Sequence, residues 1–165
     1  MPPLIPYKSI NINTSLTVDE AVQLVSEAIA LPRSFFQGWG KAAREFEGTV
    51  STSGFTISRA IRYRNSFLPI LFGKFVPSAQ GVRVEVRMTL HPLVIAFAVL
   101  WFTFVGGFLL LAIGSTLTTL KVDEGILLPI GMLLFFYLMV FLGFGLEANK
   151  AERFLSSLFE FHRLL

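Results

Sequence analysis

The chain has 165 residues, a formal charge of +3, 53% hydrophobic residues, 18 phenylalanines and no cysteine. That length holds one compact unit beside any membrane segment. The lack of cysteine excludes disulfides, thiol nucleophiles and thiolate metal sites. The basic balance is read as membrane-side charge bias and not as a nucleic-acid surface.

Residues 1–14 are expected to form an extended arm. Met1-Pro2-Pro3-Leu4-Ile5-Pro6 lacks the apolar run of a signal peptide. A module over 15–92 follows and opens with a helix. Thr17 and Glu20 have capping-box spacing, and Asp19 and Glu20 suit the positive helix end. Val18, Ala21, Val22, Val25, Ala28 and Ile29 form one apolar stripe, and Pro32 ends the helix. The next stretch sets Phe35, Phe36 and Trp39 among glycines and basic residues. It reads as an interfacial lipid anchor, as core packing under a loop, or as a ligand-stacking platform.

Four strands are predicted. The first lies near Phe46–Val50 and the second runs from Phe55 to Tyr63, with Phe55, Ile57, Arg59, Ile61 and Tyr63 on one side. The third is Pro69–Val76, followed by a hairpin loop over Pro77–Gly81. In the fourth, Val82, Val84, Val86, Met88 and Leu90 alternate with Arg83, Glu85, Arg87 and Thr89. Short loops predict an antiparallel meander with one dry face, covered by the first helix, and one wet, Arg-bearing face. Arg64-Asn65-Ser66 is expected to turn at the edge of the sheet nearest the apolar segments, because strand four runs straight into them.

Two charge-free runs, 93–113 and 126–146, each count 21 residues. A bilayer core of about 30 Å needs about 20 helical residues, so 93–146 is predicted to be a transmembrane hairpin. Its 12-residue connection, 114–125, is too short for a domain. Lys74, Arg83, Arg87, Lys150 and Arg153 flank the hairpin, whereas the connection carries only Lys121 against Asp123 and Glu124. This bias predicts that both termini are cytoplasmic. The helix is expected to continue past Leu146, and residues 147–165 read as an amphipathic helix that lies in the interface or packs back on the sheet. The expected class is therefore an α+β membrane protein.

Several quoted positions form a wider pattern. They are Phe46-x-Gly48-x-Val50, the run Phe55-x-Ile57-x-Arg59-x-Ile61-x-Tyr63-Arg64-Asn65-Ser66-Phe67-Leu68-Pro69, then Gly73, and Leu90-His91-Pro92 before a hairpin. The pattern resembles a widespread family of small, uncharacterised bacterial membrane proteins, over roughly Phe46 to the end. The resemblance implies the layout and brings no activity, cofactor or catalytic residue.

The best polar cluster is Arg59, Arg62, Arg64 and Asn65. Arg59 shares the dry face, so it needs a counter-charge from Glu45, Glu47, Glu85 or a lipid phosphate. Trp101, Thr103 and Tyr137 are the polar groups near mid-span, and contact across the hairpin or with a neighbouring subunit is expected for them. No catalytic or metal motif is present. No cofactor is indicated apart from lipid, and His91 is the only position placed to meet a pigment or haem. Expected partners are membrane lipids and other membrane subunits. The leading reading is a non-catalytic accessory, assembly or scaffold subunit of a larger membrane complex. The alternatives are a lipid- or hydrophobic-ligand-binding module, with its pocket between sheet and first helix, and an auxiliary subunit of a pigment-bearing (photosynthetic) or respiratory complex.

Overall fold

The computed structural model describes residues 6–31, 44–60, 65–119 and 124–161. Strand β1 (Tyr7–Thr14) leads into helix α1 (Val18–Ala28). Four strands follow: β2 (Phe46–Ser51), β3 (Gly54–Arg59), β4 (Pro69–Ser78) and β5 (Gly81–Leu90). Helix α2 (Pro92–Thr119), one 3₁₀ turn (Glu124–Ile126) and helix α3 (Leu127–Phe161) complete the described chain.

The strands form one antiparallel sheet in the order β1-β5-β4-β3-β2. It therefore has five strands and not four, and most of the expected N-terminal arm is a strand. Ile10 pairs with Val86 and Ile12 with Val84, which closes the free edge of β5. Without β1, the outer backbone groups of a ten-residue strand would have no ladder partner. Strand β3 ends at Arg59, so the expected extension to Tyr63 is corrected at residue 60 and otherwise lies outside the described residues. Strands β4 and β5 run to Ser78 and from Gly81, which shortens the expected loop to a turn at Ala79 and Gln80.

The alternation of β5 decides the layering. Val82, Val84, Val86, Met88 and Leu90 are all buried on one face. Burying each such side chain contributes roughly 1.5–3 kcal/mol before the entropy of ordering it. Gly73 on β4 carries the ring of Phe55, whose Cζ would lie 2.1 Å from any added Cβ. Gly73→Ala would therefore lift Phe55 off the sheet. Helix α1 packs on this face through Ala21, Leu24 and Val25. Its capping box is complete: Thr17 Oγ1 accepts from Glu20 N at 3.3 Å, and a Glu20 carboxylate oxygen accepts from Thr17 N at 2.8 Å.

Helix α3 covers the rest of the same face. It is one unbroken helix of 35 residues, about 52 Å at about 1.5 Å per residue. The expected C-terminal amphipathic helix is its second half, continuous with the apolar run as its position after residue 146 suggests. Ala148, Ala151, Leu155 and Phe159 recur at three-and-four spacing and are buried against the sheet. Phe154 stacks on Phe46 with ring centroids 4.2 Å apart. Of the two placements expected for this segment, it packs back on the sheet.

Helices α2 and α3 are long and apolar enough to cross a membrane. They meet through Val105, Phe136 and Val140, with Trp101 stacked on Phe136 at 5.5 Å. Helix α2 starts directly from β5. His91 Nδ1 accepts a hydrogen bond from Leu93 N at 3.2 Å, and Pro92 occupies the first helical position, where it lacks only an N–H the helix does not use.

Candidate functional site

The alternation of β3 sets Arg59 on the covered face beside Phe55 and Ile57, opposite Phe46 on β2. Glu147 is the first residue past the charge-free run of α3, and its side chain is only 5% exposed. Arg59 Nη1 donates to Glu147 Oε2 at 2.7 Å, and Arg59 Nε donates to Glu45 Oε1 at 3.1 Å. Lys150 Nζ donates to the other Glu147 oxygen at 3.0 Å. Burial by itself would push the Glu147 carboxyl up. The hydrogen bonds and charges of Arg59 and Lys150 outweigh it, so its pKa lies below the ordinary carboxylate value. Arg59 is raised in turn, chiefly by its hydrogen bond to Glu147.

Lys8 makes a second clasp at the far edge of the sheet. It stands opposite Met88, hence on the covered face. Its Nζ donates to Glu152 Oε2 and Asn149 Oδ1, each at 2.6 Å. Two cations, one on the edge strand β1 and one on β3, thus hold one helix, through carboxylates five positions apart on α3. A third contact comes from the turn before β4. Asn65 Oδ1 accepts from Phe67 N at 3.0 Å, and Phe67 lies about where a side chain on Gly143 would begin, 3.1 Å from that point. The turn stands at the edge nearest the apolar helices, as the strand directions require.

The other face of the sheet is open, and the register arranges it in level rows. Nearest the helices lie Tyr7, Thr89, Ile70, Ser58 and Glu47. Next come Ser9, Arg87, Phe72, Thr56 and Thr49. The third row holds Asn11, Glu85 and Lys74, and the fourth Asn13, Arg83 and Val76. Phe72 is 45% exposed and Tyr7 42%. Large apolar groups therefore stand among Arg83, Arg87 and Lys74 on a face that no described element covers.

The expected site residues separate. Arg59 joins the clasp with Glu45, one of its expected counter-charges, and with Glu147, which was not expected; neither Glu47 nor Glu85 is hydrogen-bonded to it. Asn65 shapes its own loop. Arg62, Arg64, Phe35, Phe36 and Trp39 lie outside the described residues. His91 caps α2 through Nδ1. Trp101 packs across the hairpin, and its indole N–H is buried without a partner among the described residues. Tyr137 stacks on Phe141 of its own helix, 5.9 Å away, and Thr103 is exposed on α2. Glu147, Lys8 and Glu152 are the additions. A lone carboxylate at the end of a charge-free run was a usable signal for Glu147; Lys8 carried none until its strand was known.

Among the described residues no three His, Asp or Glu side chains converge as metal ligands. The clasps hold elements together and offer no aligned nucleophile and base. The chain matches no family model, no curated protein and no solved structure.

Proposed function

We propose that this is an integral membrane protein whose hairpin of α2 and α3 spans the bilayer, with both termini cytoplasmic. It serves as a non-catalytic accessory or scaffold subunit that presents a sheet at a fixed attitude to the membrane. The observation that carries this reading is α3, which passes without a break from an apolar half into a sheet-packed half, with Glu147 locked to Arg59 at the junction. The second joint is also short, since only His91 separates β5 from α2. A module held by two stiff joints cannot tumble over the membrane, which suits a docking platform better than a tethered enzyme. Between the sheet and α1, Ala21, Leu24 and Val25 are buried, so side chains occupy the layer where a hydrophobic ligand would sit.

The test has two parts. Alkaline extraction of the full chain should leave it in the membrane pellet. Single cysteines at Ser9, Thr118 and Ser157 should then react with an impermeant thiol reagent from the outer side only at Thr118. Outer labelling of Ser9 or Ser157 would overturn the topology, and release into the soluble fraction would overturn the membrane reading. Mild-detergent purification with mass spectrometry tests the role. Stoichiometric protein partners are expected; lipid alone would favour a lipid-binding module.

A further inference from the structure

We propose that the open face of the sheet is a homodimer interface: two copies pack face to face about a two-fold axis along the membrane normal. In this arrangement β4 of each copy lies opposite β5 of the other. The proposal rests on the membrane reading above, because anchoring in one bilayer gives both copies the same orientation.

The register supplies the argument. The strand ends at Leu90 and Pro69 face the apolar helices, so the rows of the open face lie at successive heights above them. A two-fold axis along the strands returns every row to its own height and exchanges left with right. Across an axis between β4 and β5, Glu85 then faces Lys74 of the second copy, and Lys74 faces its Glu85. In the row below, Arg87 faces Phe72 of the second copy in both directions, an arginine over an exposed aromatic ring. Thr89 meets Ile70 and Arg83 meets Val76, so no row sets like charges against each other. Among the described residues, Lys74, Glu85 and Arg87 make no hydrogen bond or ion pair through their side chains, which leaves these charges for a partner.

The geometry fits known sheet packing. Facing sheets stack about 10 Å apart with strands within about 30° of alignment. With this axis β2 has no strand opposite it, and the other four strands at about 4.8 Å with four rows at about 6.8 Å give roughly 520 Å² per copy. The two copies together cover roughly 1,000 Å², the lower end of a specific interface, and confinement to one membrane raises the effective concentration. The same symmetry excludes the obvious rival. Two β1 edges related by this axis would run parallel, so they cannot pair as an antiparallel ladder.

The absence of cysteine makes crosslinking clean. With Ile70→Cys, the two introduced thiols would stand on backbones about 11 Å apart, whereas Thr49→Cys on β2 would place them about 26 Å apart. In native membranes a short bismaleimide should join the first pair and not the second. Glu85→Lys or Lys74→Glu, each added to Ile70→Cys, should lower the crosslinked fraction by roughly tenfold or more, since like charges then face each other at both symmetry-related positions. Co-expression of the two variants should restore it, because every cross-copy pair is again opposite in sign. An effect confined to folding within one chain would not be rescued in this way. Membrane-inserted chain without an Ile70→Cys homodimer, or with a different protein crosslinked there, overturns the proposal and leaves the membrane reading standing. Chain recovered as soluble protein overturns both.

Discussion

The two halves of α3 have the same backbone and opposite surroundings. Before residue 147 the helix meets its neighbouring helix and, at Gly143, Phe67 of the turn before β4, while Leu134, Phe135 and Leu142 stand exposed on its outer side. After it, Ala148, Ala151, Leu155 and Phe159 form a narrow buried stripe, with Lys150 and Arg153 outside. An outward apolar side chain of the first half is therefore nearly interchangeable, whereas the buried stripe of the second half is decisive for folding. Under the proposed membrane placement, an outward leucine gains nothing that lipid would not supply. The transition falls at Glu147, where a carboxylate is buried because Arg59 and Lys150 receive it.

The largest effect that would sharpen this contrast is at that junction. Arg59→Ala removes the closest cation from the buried Glu147 and leaves Lys150, whose side chain is 41% exposed, among the described residues that pair with it. Breaking a buried pair from one side costs about 3–5 kcal/mol, and the residual lysine places the expected loss near the lower end. The double change Arg59→Met with Glu147→Leu removes both charges and should recover most of it. Chemical unfolding in detergent, followed by tryptophan fluorescence, measures all three proteins. A double variant no better than Arg59→Ala would mean that the junction needs its charges and not merely their pairing. The sign with pH follows from Glu147. Its folded pKa is depressed, so its stabilisation is complete above the unfolded value near 4.5 and is lost as pH falls through the folded value. Arg59→Ala should flatten that acid limb.

A pair of identical substitutions breaks or upholds the comparison itself. Leu155→Ala empties a fully buried position against the sheet and should cost about 2–5 kcal/mol. Leu134→Ala, at a position 56% exposed, should leave the unfolding midpoint almost unchanged. Equal losses would show that the first half packs against protein as tightly as the second, and the distinction would fall.

What the sequence disclosed follows the range of the interactions. The capping box at Thr17, the alternation of β5 and the charge-free runs are local patterns, and each reappears where its spacing puts it. Arg59 was legible as a charge on a dry face, with Glu45 among its expected counter-charges, but its second partner Glu147 lies 88 residues away and was not. Continuity of α3 past residue 146 was legible, since its apolar stripe follows the charge-free run directly. Its second neighbour was not, because such a stripe suits a membrane interface and a sheet equally well. Strand β1 was hidden more deeply. Its apolar positions on the covered face are just Ile10 and Ile12, and what makes it a strand is the backbone of β5, 68 to 82 residues on.

That strand carries the smallest expected effect. Lys8 touches Glu152 and Asn149, yet the two charged side chains remain 28% and 38% exposed. Solvent screens such a pair, and exposed ion pairs contribute about 0–1 kcal/mol. Lys8→Met keeps an unbranched apolar stem on the covered face while removing the charge, so stability should fall by no more than about 1 kcal/mol, and less as salt rises. The backbone pairing of Tyr7–Thr14 with β5 does not depend on it. Amide exchange in β1 should stay slow in the variant, apart from modest fraying near Tyr7. Deprotection along the whole strand would show that the far clasp, and not the ladder, holds β1 in place. The two clasps on α3 would then be equal in weight, although one is buried and the other half in water.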